Sequence, residues 1–220
     1  MTEILLLKFA HIVGFAYWLG TDLGVFYSSY FAADRKLPAS TRLIVIKILF
    51  ALDMAPRICM TLMLPIGIHL AYRLGLLPLP AIIVPVAWGV CLAWLANVLY
   101  LHYGRNGPAK PLLTRVDFWF RVVMVIILAA YAALSLFGNG GTPASWLALK
   151  ILIFAVMMSC GLLVRLRLKD FGPAFARLAQ GAATEQDEIA ISQGISSTRP
   201  FVMVIWLGLF ASAALGLHLV

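Results

Sequence analysis

The sequence is poor in charged residues. Only 12% of its 220 residues are Asp, Glu, Lys or Arg, whereas a soluble domain has about 25%. The hydrophobic share is 63%. This composition excludes an ordinary soluble domain and predicts an integral membrane protein, with the lipid bilayer as its first partner.

Cysteine and acidic residues are also scarce. The three cysteines, Cys59, Cys91 and Cys160, all lie in apolar segments, and an odd number of thiols inside a bilayer offers no disulfide framework. Lys and Arg total 17, against 9 Asp and Glu. The basic residues gather in the connections between hydrophobic runs, so they follow membrane topology and do not predict a nucleic-acid partner.

Six hydrophobic runs are long enough to cross a bilayer, which takes about 20 residues per helix. Pro56 and Pro65 lie inside the second run and should kink it. The runs predict one all-α domain over 1–220, a polytopic membrane helical bundle of about six transmembrane helices. They cover residues 4–31, 43–72, 80–101, 116–137, 144–168 and 199–219.

Positive charge alternates along the connections. The first, third and fifth carry several Arg or Lys residues, the second carries only Arg73, and the fourth carries none. Positively charged connections stay in the cytoplasm, so both termini should face outside, in a bacterial-type inner (cytoplasmic) membrane. The fifth connection, about 169–198, mixes both signs. It predicts either a short interfacial helix followed by a solvated turn or a plain linker.

A polar stripe crosses the first run. His11, Trp18 and Asp22 fall within about 20° of one line on an α-helix. A titratable side chain inside a membrane helix is costly and by default indicates a function. Because His is also the usual protein ligand of b-type haem iron, the stripe makes haem b the candidate cofactor.

Three histidines and one lysine should share a depth in the outer leaflet: His11, His69, His218 and Lys150. A bis-His haem needs two imidazoles from different helices, so the candidate pairs are His11–His69, the preferred metal ligands, and His11–His218. Gly14 would admit either a flat macrocycle or a second helix, and Lys150 could neutralise a propionate. The alternative is hydrogen bonding between helices, or a histidine at the headgroup boundary.

A second polar cluster is predicted in the inner half. Asp53 and Arg57 are four residues apart on the second run, which suits an ion pair, and Asp22 lies at a similar depth. A network of the three would offset the cost of burying each charge. It would act either as a proton path or binding site for a quinone-like or porphyrin-like group, or as a structural clamp.

Sulfur ligands offer an alternative metal chemistry. Cys59 and Met63 are four residues apart, and soft sulfur ligands suit Cu(I). Cysteine and methionine are also ordinary fillers of apolar packing.

Several short patterns, in order, resemble those of the HemJ-type protoporphyrinogen IX oxidases and the wider CopD-like membrane superfamily. They are Lys8-x-x-His11, Trp18-x-Gly20, Pro56-x4-Thr61 with Gly67, Trp146-Leu-x-x-Lys150, and Pro200. The resemblance implies a helical bundle that binds haem b, with His11 as axial ligand and Lys150 as a functional lysine. Ser159-Cys160-Gly161 stands where these oxidases have a Tyr-His pair, which favours a divergent member with a different ligand pair.

We therefore expect a b-type haem redox protein, and so a candidate haem-dependent oxidoreductase, that passes electrons between the membrane quinone pool and an outer-side partner. The alternatives are a HemJ-like oxidase acting on a porphyrin, CopD-like copper transport, and a cofactor-free accessory subunit of a membrane complex. Other membrane subunits or a second copy of the chain are candidate protein partners.

Overall fold

The computed structural model describes residues 1–105, 107–138 and 141–219. They form seven α-helices, and the described part of the chain contains no β-strand, which confirms the all-α class. The helices are α1 (Thr2–Ala33), α2 (Ala39–Arg73), α3 (Ile83–Tyr103), α4 (Ala109–Phe137), α5 (Ser145–Arg167), α6 (Phe171–Ala179) and α7 (Glu185–Gly216).

Five of these helices, α1, α3, α4, α5 and α7, are long and apolar enough to cross a membrane. Large apolar side chains on their outer faces are exposed, as lipid contact requires, among them Leu6, Phe9, Ile126 and Leu207. The chain is therefore a multi-pass helical membrane protein. Within the described residues α2 lies outside this set of five, so the prediction of about six spans is confirmed for five of them.

The six long helices close into a ring. α1 packs on α2, α2 on α3, α3 on α4, α4 on α5, α5 on α7, and α7 returns to α1. Short connections favour this order for the first five helices, because a helix joined to the next by a few residues turns back alongside it. Side chains from all six helices meet at the centre of the ring, where a site shared by several helices can form.

The centre of the ring is apolar and rich in methionine. Met158 is 1% exposed and is among the largest fully buried side chains. Methionine adapts to irregular gaps between helices, so this packing can hold the helices around the polar groups that the core encloses. The core comprises Trp18, Met54, Met60, Leu64, Cys91, Trp94, Val98, Leu128, Ala155, Met157, Met158, Cys160, Ile205 and Leu209.

Polar contacts at both ends show that α1 and α2 run antiparallel over their whole length. At one end, Glu3 Oε2 lies 2.6 Å from Arg73 Nη2. At the other end, the buried Arg42 side chain donates from Nε to the carbonyl oxygen of Ala32 at 3.0 Å. The register of the two helices is therefore set by charged or polar groups at each end and by apolar packing between them.

A second, smaller core lies at one end of the ring, which we call the α6 end. The rings of Phe171 and Phe175 stack in α6, with centroids 5.6 Å apart. They pack with Ile191 of α7 and with Ala32 and Ile46, where α1 ends and α2 begins. α6 is the short helix predicted for the connection 169–198.

The observed α7 corrects the prediction for the last span. It begins at Glu185 rather than at residue 199 and continues through Pro200, so the predicted solvated turn is wrong. Thr184 and Asp187 form a capping box: the Thr184 hydroxyl accepts from the Asp187 backbone, and the Asp187 carboxylate accepts from the Thr184 backbone. This cap satisfies N–H groups at the start of the helix, while residues such as Ile191 bury one face in the second core.

Candidate functional site

His11 lies on the inward face of α1, two and a half turns from the start of the helix at Thr2. Its Nδ1 is buried and has no hydrogen-bond partner among the described residues. A Cβ on Gly67 of α2 would lie 3.5 Å from His11 Cε1. The imidazole is therefore a packed polar group whose hydrogen-bonding capacity the described protein atoms leave unused.

Lys150 of α5 lies close enough to His11 for the two to interact electrostatically. A Cβ on Gly216 would lie only 2.8 Å from Lys150 Nζ, so the absence of a side chain at Gly216 gives the ammonium its room. Nζ lies 5.7 Å from the centroid of the Trp146 ring. Within the described residues Lys150 has no hydrogen-bond or ion-pair partner, so a cation and an imidazole share this part of the ring without an anion between them.

The other two predicted outer histidines have partners of their own. His69 Nε2 lies 3.1 Å from Glu3 Oε1, and the same carboxylate binds Arg73. His218 follows α7 with a positive φ of 54°, and its ring meets Trp146 edge to face at 5.0 Å. The described contacts therefore bring Lys150 near both His11 and Trp146, while His69 is held by Glu3 at the N-terminal end of α1.

Gly14 and Trp18 contribute packing around His11. A Cβ on Gly14 would lie 2.6 Å from Met63 Sδ. Of the two predicted roles, room for a macrocycle or for a second helix, Gly14 therefore has the second, because it lets α2 pack closely against α1. Trp18 is 4% exposed, and its ring meets Phe154 of α5 edge to face at 6.3 Å. Because α1 and α5 are not adjacent in the ring, these large rings fill the space between the two helices, two turns along α1 from His11.

The sulfur pair predicted as a copper site lies on the outer side of α1 and α2. Cys59 and Met63 line an apolar groove between these helices of about 540 Å³, together with Phe9 and Tyr17. Within the described residues, no group of three or more His, Cys, Asp or Glu side chains is arranged to hold a metal ion.

The predicted inner network forms in part. Arg57 Nη2 lies 2.5 Å from Asp53 Oδ2, so the ion pair within α2 is present. Asp22 instead accepts a hydrogen bond from Trp206 Nε1 of α7 at 2.7 Å. The charged side chain that interacts with Asp22 electrostatically is Asp53. The predicted contact of Asp22 with Arg57 is not among the described bonds, because Asp22 is bound to α7 rather than to the arginine of α2.

A buried charge cluster that the sequence analysis missed lies between α3, α4 and α5. Asp117 is 3% exposed and accepts hydrogen bonds from three side chains: Trp94 Nε1 at 3.0 Å, Arg121 Nε at 3.1 Å and Arg165 Nη1 at 2.7 Å. Asp117 and Arg121 are four residues apart inside a hydrophobic run. The same spacing of an acidic and a basic residue predicted the Asp53–Arg57 pair. It could have predicted the Asp117–Arg121 pair as well.

Ion pairs fasten the start of α7 to the α6 end. Arg177 of α6 binds Asp187, and its Nε lies 3.0 Å from the carboxylate. Hydrogen bonds from Arg177 and from Thr184 hold the pKa of Asp187 well below its usual range. Arg42 of α2 donates to Glu188 at 2.8 Å. The long polar start of α7 is therefore part of the folded bundle.

No protein-family model matches the chain, and no curated protein or solved structure matches it.

Proposed function

We propose that this protein is a membrane-embedded b-type haem redox protein that passes electrons between the membrane quinone pool and an outer-side partner. The observation that carries the proposal is the unused Nδ1 of His11 at the inward face of α1. A buried polar atom without a partner is costly and rare. A ligand bound by this imidazole would supply the partner that the buried nitrogen lacks.

The residues around His11 fit haem b in two respects. Histidine is the axial ligand of most b-type haems, and the His11 ring forms no hydrogen bond with the described protein atoms that would compete for its nitrogens. Lys150, which also lacks a partner among those atoms, supplies a positive charge that suits a propionate. When bound, haem would supply one-electron chemistry, and the chain would supply orientation, charge and exclusion of water.

Two histidines are candidates for the second axial ligand. Glu3 contacts Nε2 of His69, so the other ring nitrogen, Nδ1, could bind a metal. A metal-bound histidine commonly has a carboxylate as the hydrogen-bond partner of its second ring nitrogen. His218 is exposed and follows the last helix. Loss of each imidazole separately would identify which of them, if either, pairs with His11.

The same proposal includes six membrane spans with both termini outside. α2 runs antiparallel to α1 from the Glu3–Arg73 contact to the Arg42–Ala32 contact. Because α1 is long and apolar enough to span, its full-length neighbour should cross with it. The basic connections then lie together at the α6 end, which the positive-inside rule assigns to the cytoplasm of a bacterial-type inner membrane.

The decisive experiment is a reduced-minus-oxidised visible spectrum of the full-length protein, purified in a mild detergent, with haem counted as pyridine haemochromogen. We expect a haem b spectrum for the wild type and loss of haem from His11→Ala. His102→Ala, at an exposed ring beside Tyr103, is the matched control and should keep its haem. Wild-type protein without a haem spectrum, or His11→Ala with full haem content and monodisperse elution, would overturn the proposal.

A HemJ-like protoporphyrinogen IX oxidase is the second candidate function. It is favoured by the proximity of His11 and Lys150, because the resemblance assigns these two residues the axial and functional roles. This function predicts that the gene restores growth of a haem-synthesis mutant, and that Lys150→Met abolishes growth while Lys169→Met, exposed beyond α5, does not. Haem-containing protein that never restores growth would leave the cytochrome as the function.

A further inference from the structure

The charged side chains at the α6 end fall into two parts. In the part formed by the first connection, α6 and the start of α7, acidic and basic side chains are matched. Each carboxylate of α7 binds an arginine: Glu185 binds Arg35, Asp187 binds Arg177, and Glu188 binds Arg42. These three pairs cancel each other's charge.

The other part, where α3 ends, α4 begins and α5 ends, is basic. Between residues 74 and 184 the chain contains only two carboxylates, Asp117 and Asp170. Asp117 is buried and already binds Arg121 and Arg165. A single exposed carboxylate, Asp170, therefore remains beside four exposed cations, which we call the basic surface: Arg105, Arg115, Arg167 and Lys169.

Carboxylates from the neighbouring helices leave the basic surface positively charged. Asp53 of α2 binds Arg57, and the acidic residues of α7 are paired as described above. Asp22 and Asp53, counted together with Arg57, lower the positive excess by one charge only. Within residues 1–105, 107–138 and 141–219, no carboxylate forms an ion pair with any of the four cations.

Hydrogen bonds join the three helix ends that carry the basic surface. Arg165 of α5 donates from Nη2 to the carbonyl oxygen of Thr114 in α4 at 3.3 Å. Lys110 of α4 donates from Nζ to the carbonyl oxygen of Gly104, just after α3, at 3.3 Å. Arg115 and Arg105 are the next residues after the two acceptors, and Arg167 is two residues beyond the donor of α5. The basic surface is therefore one region and not a set of scattered charges.

The basic surface lies where the hydrophobic runs meet the membrane boundary. Arg115 immediately precedes the run 116–137, and Arg167 lies at the end of the run 144–168. Trp119, one turn along α4 from Arg115, is 63% exposed, and Val123 and Ile126 continue the same exposed stripe. Tryptophan is typical of the interface between headgroups and hydrocarbon. A partner that covers both features must place negative charge beside the cations and hydrocarbon along α4.

We propose that the basic surface binds the headgroup of an anionic phospholipid, whose acyl chains lie along the exposed stripe of α4. Guanidinium and ammonium groups form strong charge-assisted hydrogen bonds with phosphate oxygens, and basic side chains at the membrane boundary attract anionic lipids. An acidic protein would match the charge but not the apolar stripe that continues from Trp119 toward the membrane interior. The basic surface is distinct from the His11 site, and this proposal does not depend on haem.

The test uses the full-length protein in dodecyl maltoside, with bound lipid counted by native mass spectrometry. Dioleoyl phosphatidylglycerol and dioleoyl phosphatidylcholine have the same acyl chains and differ in headgroup charge. We expect phosphatidylglycerol to bind at least about tenfold more tightly. Arg115→Gln and Arg167→Gln should each weaken its binding about fivefold, whereas Arg115→Lys, which keeps the charge, should stay within about twofold of the wild type.

Lys36→Gln is the matched control. It removes the same charge from an exposed side chain at the α6 end, but from the connection between α1 and α2, and should change binding by less than about twofold because screened charges act over a short range. If Arg115→Gln does not fold, Lys169→Gln serves instead. Equal binding of the two lipids, or equal weakening by Lys36→Gln and the variants of the basic surface, would overturn the proposal. Displacement of the lipid by millimolar inorganic phosphate would overturn it in favour of a free anion, and tighter binding of polyglutamate would overturn it in favour of an acidic protein.

Discussion

Replacement of Asp117 by Asn should destabilise the protein severely, although the two side chains have nearly the same size. The carboxylate is 3% exposed and is the only described ion-pair partner of the buried Arg121. Loss of one member of a buried ion pair costs about 3–5 kcal/mol, which is on the order of 10 °C in thermal midpoint for a chain of this length. The contact to Arg165 adds little, because that side chain is 35% exposed and screened.

The assay is the fraction of detergent-purified protein that remains monodisperse after heating, followed by size-exclusion chromatography. Asp170→Asn, at an exposed carboxylate before α6, is the control and should lie close to the wild type. The double variant Asp117→Asn/Arg121→Gln should be more stable than Asp117→Asn, since it no longer buries an unpaired charge. If Asp117→Asn lowers the thermal midpoint by less than about 2 °C, the reasoning is refuted, because a loss of even 1 kcal/mol would lower it by more.

Two further predictions concern other parts of the fold. The pKa of Asp187 is lowered chiefly by Arg177, so its stabilising effect is present above the unfolded value of about 3.9 and is lost as the pH falls below it. The protection of α6 and the start of α7 against hydrogen exchange, corrected for the intrinsic pH dependence of amide exchange, should therefore fall below about pH 4, and Asp187→Asn should remove that fall. Protection that is unchanged on acidification would contradict this. Trp206→Phe deprives Asp22 of its donor and should cost about 1–3 kcal/mol, measured by the same heating assay. Trp119→Phe, 63% exposed, should cost less than about 0.5 kcal/mol, and equal losses in both variants would argue against a role for the hydrogen bond.

The hydrophobic runs predicted the helices well where apolar length was the signal. The runs 144–168 and 80–101 correspond closely to α5 (Ser145–Arg167) and α3 (Ile83–Tyr103). The prediction failed for α7, because its first fourteen residues mix charged and polar side chains with a few apolar ones and contain no hydrophobic run. Their apolar positions, such as Ile191, become informative only once α6 supplies a partner to bury them.

Side-chain partners were less predictable than helices. The Asp53–Arg57 pair could be predicted because helical spacing alone brings the two residues together. Asp22 and Trp206 are 184 residues apart, and no local pattern relates them. Their contact depends on the closure of the ring by α1 and α7, which is a property of the whole fold.

The sequence by itself determined that the chain is an all-helical membrane protein, because low charge and long apolar runs leave a bilayer as the only suitable solvent. It also indicated His11 and Lys150, since polar side chains are conspicuous in such runs. Only the tertiary structure decided which polar groups meet. Ring closure leaves His11 Nδ1 without a described partner, binds Asp22 to α7, and gathers guanidinium groups from α4 and α5 on the carboxylate of Asp117. The physical reason is that burial cost depends on partners from distant segments, which sequence spacing does not specify.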